Sequence, residues 1–374
     1  MKILLINNGF CDSKVHSNLA KEVDKHGLTQ TVYCPVREES HIGKFQFEGF
    51  NINFVYSFCI KSWYKFAYHY KIWKLYRDMK SKIDLSRYDI VHAPQLFSDG
   101  GLALKMYKDY GVPYVTTVRN TDLNSYIRLL KHTYPVGREI LLNANKIYFI
   151  SAGIKKQFEE SKFVKPILER VKDKFVLQPN GVEDYWLKHI THTKRGGHNI
   201  LYIGDFSDNK NVCRLGDAVI QLREYHGFED VKLIIVGGGK EDSDATRRMI
   251  ESHPERMEYL GKIYEKEKLC EVMRSCAIFA MPSIYETFGL VYIEALSQNL
   301  PVLYTKGQGI DGMFDSTIGV SVNPRSVNEI RNALKELFTN HDKYGNQHVD
   351  FSMFDWKKIS QRYVDDYKSV IAKM

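Results

Sequence analysis

The sequence predicts an α/β protein of two tandem domains, each a mostly parallel β-sheet with helices on both faces. Three observations predict it. At ~100–200 residues per domain, the 374 residues suggest two domains. Short apolar runs alternate with amphipathic helical stretches along the chain, which is the order of a parallel sheet. The two halves also echo each other: D-Y-G-V-P at 109–113 and Q-N-L-P at 298–301 each read as a helix end, a turn and a strand opened by proline.

The elements follow in order. Residues 2–6 form an apolar run suited to a buried parallel strand. A polar turn at Gly9 leads into a helix with Val15, Leu19 and Val23 on one side, and Gly27 stands where a helix C′ residue is expected. Further strands are expected at 31–34, 51–56, 90–91, 114–118 and 146–150, with a helix over 102–110. In the second half they are expected at 200–203, 233–236, 277–281 and 302–304. Two Rossmann-like domains in tandem satisfy this order. The polar stretch T-H-T-K-R-G-G-H at 191–198 has linker composition and places the boundary there. A last helix from about Asp355 carries Trp356, Ile359, Tyr363, Tyr367 and Val370, spaced 3, 4, 4 and 3, in one apolar stripe.

Composition excludes several classes. Hydrophobic residues are 44% and charged residues 26%, which rules out disorder, collagen-like repeats and a disulfide miniprotein. A net charge of +8 is mildly basic. Cys11, Cys34, Cys59, Cys213, Cys270 and Cys276 form no C-x-x-C pair and have no zinc-finger spacing, so reduced, mostly buried thiols are expected. The opening apolar run is too short for a signal-peptide core, and no later run approaches ~18 apolar residues. A cytoplasmic setting is the expectation.

The most informative segment is P-S-I-Y-E-T-F-G-L-V-Y-I-E at 282–294. A buried strand ends before it, and an apolar helix begins near Gly289. Ligands of open α/β sheets bind beyond the carboxyl ends of strands, and a helix start there offers free N–H groups and a positive dipole end to phosphate. Glu286 precedes the helix and Glu294 lies on its second turn. Beside a phosphate site such acids suit sugar hydroxyls: Glu294 the ribose, Glu286 a sugar. Taken alone, they read equally well as solvated surface acids.

Glu286 and Glu294 resemble the E-x7-E pair of the family 4 retaining nucleotide-sugar glycosyltransferases. The order of other segments is similar to that family: Y-I-G…K-N at 202–211, V-G-G-G at 236–239, Y-L-G at 259–261, P-N-G-V at 179–182 and, more loosely, D-I-V-H at 89–92 and V…T-D at 118–122. The resemblance implies the GT-B architecture, two Rossmann-like domains whose parallel sheets face a central cleft. Residues 1–190 would be the acceptor-side domain, 191–354 the nucleotide-sugar domain, and 355–374 a helix packing back across the junction onto the first. It implies catalytic roles for Glu286, Lys210 and Arg119. Lys210 would meet the donor diphosphate, and Phe288, Gly289, Leu290 and Val291 would present backbone to it. Glu294 would hold the ribose. Gly9, Gly204, Ile263 and Thr287 complete the implied donor site, and His92 and Asp122 the acceptor side. No metal is implied; Asp242-Ser243-Asp244 reads as a helix N-cap with first-turn acids. No cofactor is implied beyond the donor, a UDP-sugar ahead of a GDP-sugar.

The chain departs from the family pattern at three places. Asp205 stands where an arginine is usual, Arg119 where a histidine is usual, and Gly9 where a glycine pair is usual. Arginine stays protonated and cannot act as a base. No side chain in the matched segments is an obvious covalent nucleophile, so the resemblance favours front-face attack by the acceptor, with the departing phosphate taking its proton. The alternatives are a catalytically weak homologue serving as a partner or scaffold subunit, and a sugar-nucleotide epimerase or hydrolase.

A second constellation spans 61–82. Seven basic residues accompany one acid, and Trp63, Phe66, Tyr70, Trp73 and Arg77 recur at 3, 4, 3 and 4. One reading is a membrane-surface helix using Trp63, Lys65, Lys71, Trp73 and Lys74. The other is a helix with its aromatic stripe in the core. The expected partners are a nucleotide-sugar, a lipid-linked saccharide in capsule, O-antigen or exopolysaccharide synthesis, and an anionic membrane on its inner face. Nucleic acid is not among them.

Overall fold

The structure is a computed structural model of residues 1–374; it describes all but Arg195 and 240–242, and the side chains of Ser62, Lys65, Tyr225 and His226 also lie outside the description. Two compact units result. Unit 1 contains Met1–Ile150, Ile154–Gly181 and Trp356–Met374; unit 2 contains Ser151–Gly153 and Val182–Asp355.

Unit 1 is built on β1 (Lys2–Ile6), β2 (Thr29–Cys34), β3 (Ile52–Tyr56), β4 (Ile90–Ala93), β5 (Tyr114–Val118), β6 (Lys146–Phe149) and β7 (Phe175–Leu177). Their order in the sheet is β3-β2-β1-β4-β5-β6-β7, with every pairing parallel. Unit 2 is built on β8 (Asn199–Gly204), β9 (Lys232–Gly237), β10 (Met257–Tyr259), β11 (Ile278–Ala280), β12 (Val302–Thr305) and β13 (Gly319–Val322). Its order is β10-β9-β8-β11-β12-β13, again all parallel. Both sheets therefore reverse direction of winding beside their first strand. Such a switch point splays the loops at the carboxyl ends apart and leaves room for a ligand. Both units are Rossmann-like, as the alternation predicts.

The stripe of the helix Trp356–Ile371 is buried against Ile3, Val23, Leu28, Ile90, Val115 and Tyr148 of unit 1. Asp366 fastens it by accepting from Tyr148 Oη at 2.7 Å and from Lys146 Nζ. The opposite sheet face packs Leu5, Phe10, Val32 and Val36.

Two expectations are corrected. The units part at Gly181–Val182, not near 190. Helix Asp184–Lys188 belongs to unit 2, where Trp186 is buried and Gln298 donates to the His189 carbonyl. Residues 191–194 form a strap rather than a free linker: Asn346 and Asn299 donate to the carbonyls of Thr191 and His192, and Lys194 Nζ donates to those of His341 and Tyr344.

The second correction concerns 61–82. The helix Tyr68–Lys82 buries Tyr68, Ile72, Leu75, Tyr76 and Met79. The stripe Trp63, Phe66, Tyr70 and Trp73 faces outward, 44–64% exposed. The core reading of that stripe is wrong because a second apolar face, on the opposite side of the helix, fills the interior instead. Lys71 falls on the buried face and is no surface group. Lys74 Nζ donates to Tyr64 Oη at 3.0 Å and sits over the Phe58 ring.

Candidate functional site

In unit 2 the loops after β8 and β11 are stitched together across the switch point. Asn209 exchanges bonds with the backbone of Tyr285, and Ile284 N donates to the Asn209 carbonyl at 2.8 Å. Asn211, held at φ 63°, donates to the carbonyls of Pro282 and Pro324. This seam brings Lys210 and Glu286 together, 2.8 Å from Nζ to Oε2, with both side chains largely buried. Glu286 is positioned on its other sides too: Oε1 accepts from Thr287 N, and its backbone meets Gln308 and Gly309.

The helix Leu290–Ser297 starts directly after this pair. Its N-cap, Gly289, has φ 78°, and a Cβ there would lie 2.6 Å from the Tyr292 ring. Only glycine fits. Phe288 turns inward and packs on Phe354, so only its backbone faces the site. Gly204 ends β8, where a Cβ would meet Tyr202 Oη at 2.6 Å. Ile263 is half-buried in the loop beyond β10. Glu294 is drawn up to about 7 by burial, further raised by the Glu183 charge and offset by Lys266. Among the described residues its carboxylate has no hydrogen-bond partner. Asp205 is exposed, and its Oδ1 accepts from Ser207 N at 2.9 Å, so the acid is turned into its own loop. Asp242 lies outside the described residues; Ser243 is the N-cap of helix Asp244–Ser252. Among the described residues no cluster of histidine, cysteine or acids could hold a metal ion.

In unit 1 the switch point encloses a small cavity of about 10 Å³, lined by Asn7, His16, His92, Arg119, Trp356 and Tyr363 among others. That is room for about one water. His92 Nδ1 bonds Tyr367 Oη at 2.6 Å, while His92 Nε2, Asn7 Nδ2 and Trp356 Nε1 are buried without partners among the described residues. Burial and the Arg119 charge drive His92 down to about 3, and the same causes lower His16. Both imidazoles are neutral near pH 7. Arg119 Nε donates to the Pro94 carbonyl at 2.7 Å. Gly9 is buried under His16 and Gln95. Asp122 is fully enclosed and accepts from the backbone N–H groups of Leu96, Phe97 and Arg119. Its carboxylate holds loops together, which corrects its placement on the acceptor side.

Sequence comparison bears on what these switch points serve. A family described as "Glycosyltransferase Family 4" matches residues 14–199, and "Glycosyl transferases group 1" matches 197–340. The chain belongs to the family 4 glycosyltransferases. An uncharacterized glycosyltransferase of Methanocaldococcus jannaschii is 24% identical over 289 residues, 76% of either chain. Among solved structures, the sucrose-phosphate synthase of Thermosynechococcus elongatus superposes with a TM-score of 0.72 at 17% identity over 100% of both chains. A trehalose-6-phosphate protein of E. coli bound with UDP-2-fluoro glucose gives 0.68 at 12% identity over 99% of both. At these identities the likeness shows the GT-B fold.

Some groups at the glycosyltransferase's two switch points carry no sequence signal that singles them out. His16 is one turn into a helix, and only the closing of that helix over β1 places it beside His92. Gln308, which positions Glu286, and Glu183, which bears on Glu294, come from distant loops. Asn7 was findable, because it is the first polar residue after a buried strand.

Proposed function

We propose that this glycosyltransferase moves a sugar from a nucleotide-sugar, with a UDP-sugar ahead of a GDP-sugar, to a lipid-linked saccharide in cell-surface polysaccharide assembly. Transfer retains the anomeric configuration and uses no metal. The observation that carries the donor assignment is the Lys210–Glu286 pair at the unit 2 switch point, directly before the N-terminus of helix Leu290–Ser297. When a diphosphate arrives, the Lys210 ammonium and the free N–H groups meet its charge, and Glu286 turns to sugar hydroxyls. Glu294 holds the ribose. The acceptor hydroxyl oxygen bonds to the anomeric carbon as the carbon–oxygen bond to the diphosphate breaks. The departing phosphate oxygen takes the hydroxyl proton. The exposed Trp63 and Trp73, with the half-buried Lys74 beside them, support an acceptor presented at an anionic membrane on its cytoplasmic face.

The test is thermal stabilisation by UDP, GDP, ADP and CMP and their sugar conjugates, with Lys210→Ala and Glu294→Ala beside the wild type. Ligand at ~100 times Kd stabilises by about 2.7 kcal/mol. A shift with one nucleotide, lost in both variants, is expected. No shift with any nucleotide refutes the donor site.

A further inference from the structure

Unit 1 contains a second, larger cavity at the carboxyl edge of its sheet, of about 420 Å³. That lies within the range of small-molecule pockets, about 300–1,000 Å³. Its walls come from the loops after five successive strands: Asn8 follows β1, Arg37 β2, Lys61 β3, Gln95 β4 and Thr121 β5. Helix Tyr68–Lys82 contributes Lys71 from below.

The charge of this cavity is one-sided. Arg37, Lys61 and Lys71 line it, and among the described residues no carboxylate does. Arg37 and Lys61 are exposed at the rim. Lys71 is 7% exposed, and among the described residues the one hydrogen-bond partner of its ammonium is Ser98 Oγ at 3.1 Å. Ser98 Oγ in turn bonds Tyr126 Oη at 3.0 Å, so a lysine, a serine and a tyrosine run in series along the wall. An ammonium has three donors, and two of these are left over in a buried place. No acid neutralises it at contact distance. The nearby Asp99 accepts from Asn8 N, and burial lifts its carboxyl to about 8, so it is mainly neutral near pH 7. A buried, under-bonded cation is costly, and helix Tyr68–Lys82 has apolar residues on every other inward position. The fold tolerates Lys71 where an apolar side chain would pack more cheaply.

We propose that this cavity binds a phosphate group carried by the acceptor, with Lys71 beneath it, Arg37 and Lys61 closing over it, and the Ser98 and Tyr126 hydroxyls beside it. A phosphate monoester carries about −1.5 to −2 charges at pH 7, enough to answer two or three cations. A guanidinium fork and ammonium point charges suit its oxygens. As a statement about the acceptor, the inference rests on the glycosyltransferase reading above. The phosphate belongs either to a soluble phosphosugar or to a lipid phosphate.

The test uses the full chain. It is titrated calorimetrically with glucose 6-phosphate, glucose and inorganic phosphate, and sedimented with phosphatidylcholine vesicles with and without phosphatidic acid. Arg37→Gln combined with Lys61→Gln alters only exposed side chains, and Lys71→Met keeps the buried stem. The expected result is saturable binding of glucose 6-phosphate but not glucose, marking the soluble source, or sedimentation that needs phosphatidic acid, marking the lipid source. In either case both variants weaken binding about tenfold or more, as the loss of a charged hydrogen bond does. Phosphate binding unchanged in the variants overturns the proposal, as does no preference for phosphorylated probes. UDP stabilisation is read in parallel. A UDP shift without phosphate binding overturns the pocket and leaves the donor site standing. Phosphate binding without a UDP shift supports the pocket and removes the UDP-sugar assignment.

Discussion

Replacing Lys71 with methionine is expected to stabilise the protein at pH 7, because burial leaves the ammonium only partly hydrated. Burial lowers Lys71 from 10.5 to about 8, with Asp99 opposing that shift and Arg37 adding to it. Each pH unit between folded and unfolded values is worth about 1.4 kcal/mol, so the charge costs roughly 3 kcal/mol at pH 7. Below about pH 8 both states keep the proton and the whole penalty stands. Between about 8 and 10.5 the folded lysine releases its proton while the unfolded one keeps it, so the stability of the wild type climbs with pH. Asp99 acts in the same direction, because removing Lys71 withdraws a charge that favours its anion. The Lys71→Met advantage is therefore about 2–3 kcal/mol at pH 7 and shrinks towards pH 10. A unit of 150–250 residues melts about 2–4 °C higher per kcal/mol, which gives a shift of roughly 5–10 °C. Melting of both proteins at pH 7, 9 and 10 measures it. A variant less stable than wild type at pH 7, or a gap that does not change with pH, would show that the ammonium is hydrated or paired and refute the reasoning.

Glu294 is raised to about 7, so hydroxyls that bond its anion should tighten UDP binding as pH rises from about 6 to 8; calorimetry should show this in wild type and a flat profile in Glu294→Gln. Gly289→Ala places a methyl 2.6 Å from the Tyr292 ring at φ 78° and should destabilise unit 2 by about 1–3 kcal/mol, measured by urea unfolding. Trp63→Ser with Trp73→Ser, or Lys74→Glu, should reduce sedimentation with anionic vesicles; unchanged sedimentation sinks the membrane surface.

The interior strands were readable because most carry a short apolar or β-branched run buried on both faces. The strands that escaped the sequence, Phe175–Leu177, Met257–Tyr259 and Gly319–Val322, are all sheet edges of three or four residues. Runs of three or four residues are too short for periodicity to separate them from loop or helix, whereas the longer edge strand Ile52–Tyr56 was legible. At 61–82 the aromatic periodicity was plain but its direction was not, since helix Tyr68–Lys82 has two faces that could each have been the inner one. The loop after β11 was legible through its resemblance to a family pattern. The pairing of Glu286 with Lys210, 76 residues away, depends on asparagines that tie two loops together. Asp205 looked like a charge against the donor, and the sequence does not show that its Oδ1 accepts from Ser207 N in its own loop.

The helix Trp356–Ile371 makes the order of synthesis matter. Unit 1 begins at Met1, yet its core is closed by Trp356–Met374, which leave the ribosome only after all of unit 2. Until then Ile3, Ile90 and Val115 lack their cover, and His92 lacks both its hydroxyl partner Tyr367 and the Tyr363 ring beside it. Unit 2, between Val182 and Asp355, has no such debt and can fold while the first-made half waits. A nascent chain therefore cannot complete its unit 1 switch point early, and a single cut after Gly181 yields a fragment with an open apolar face.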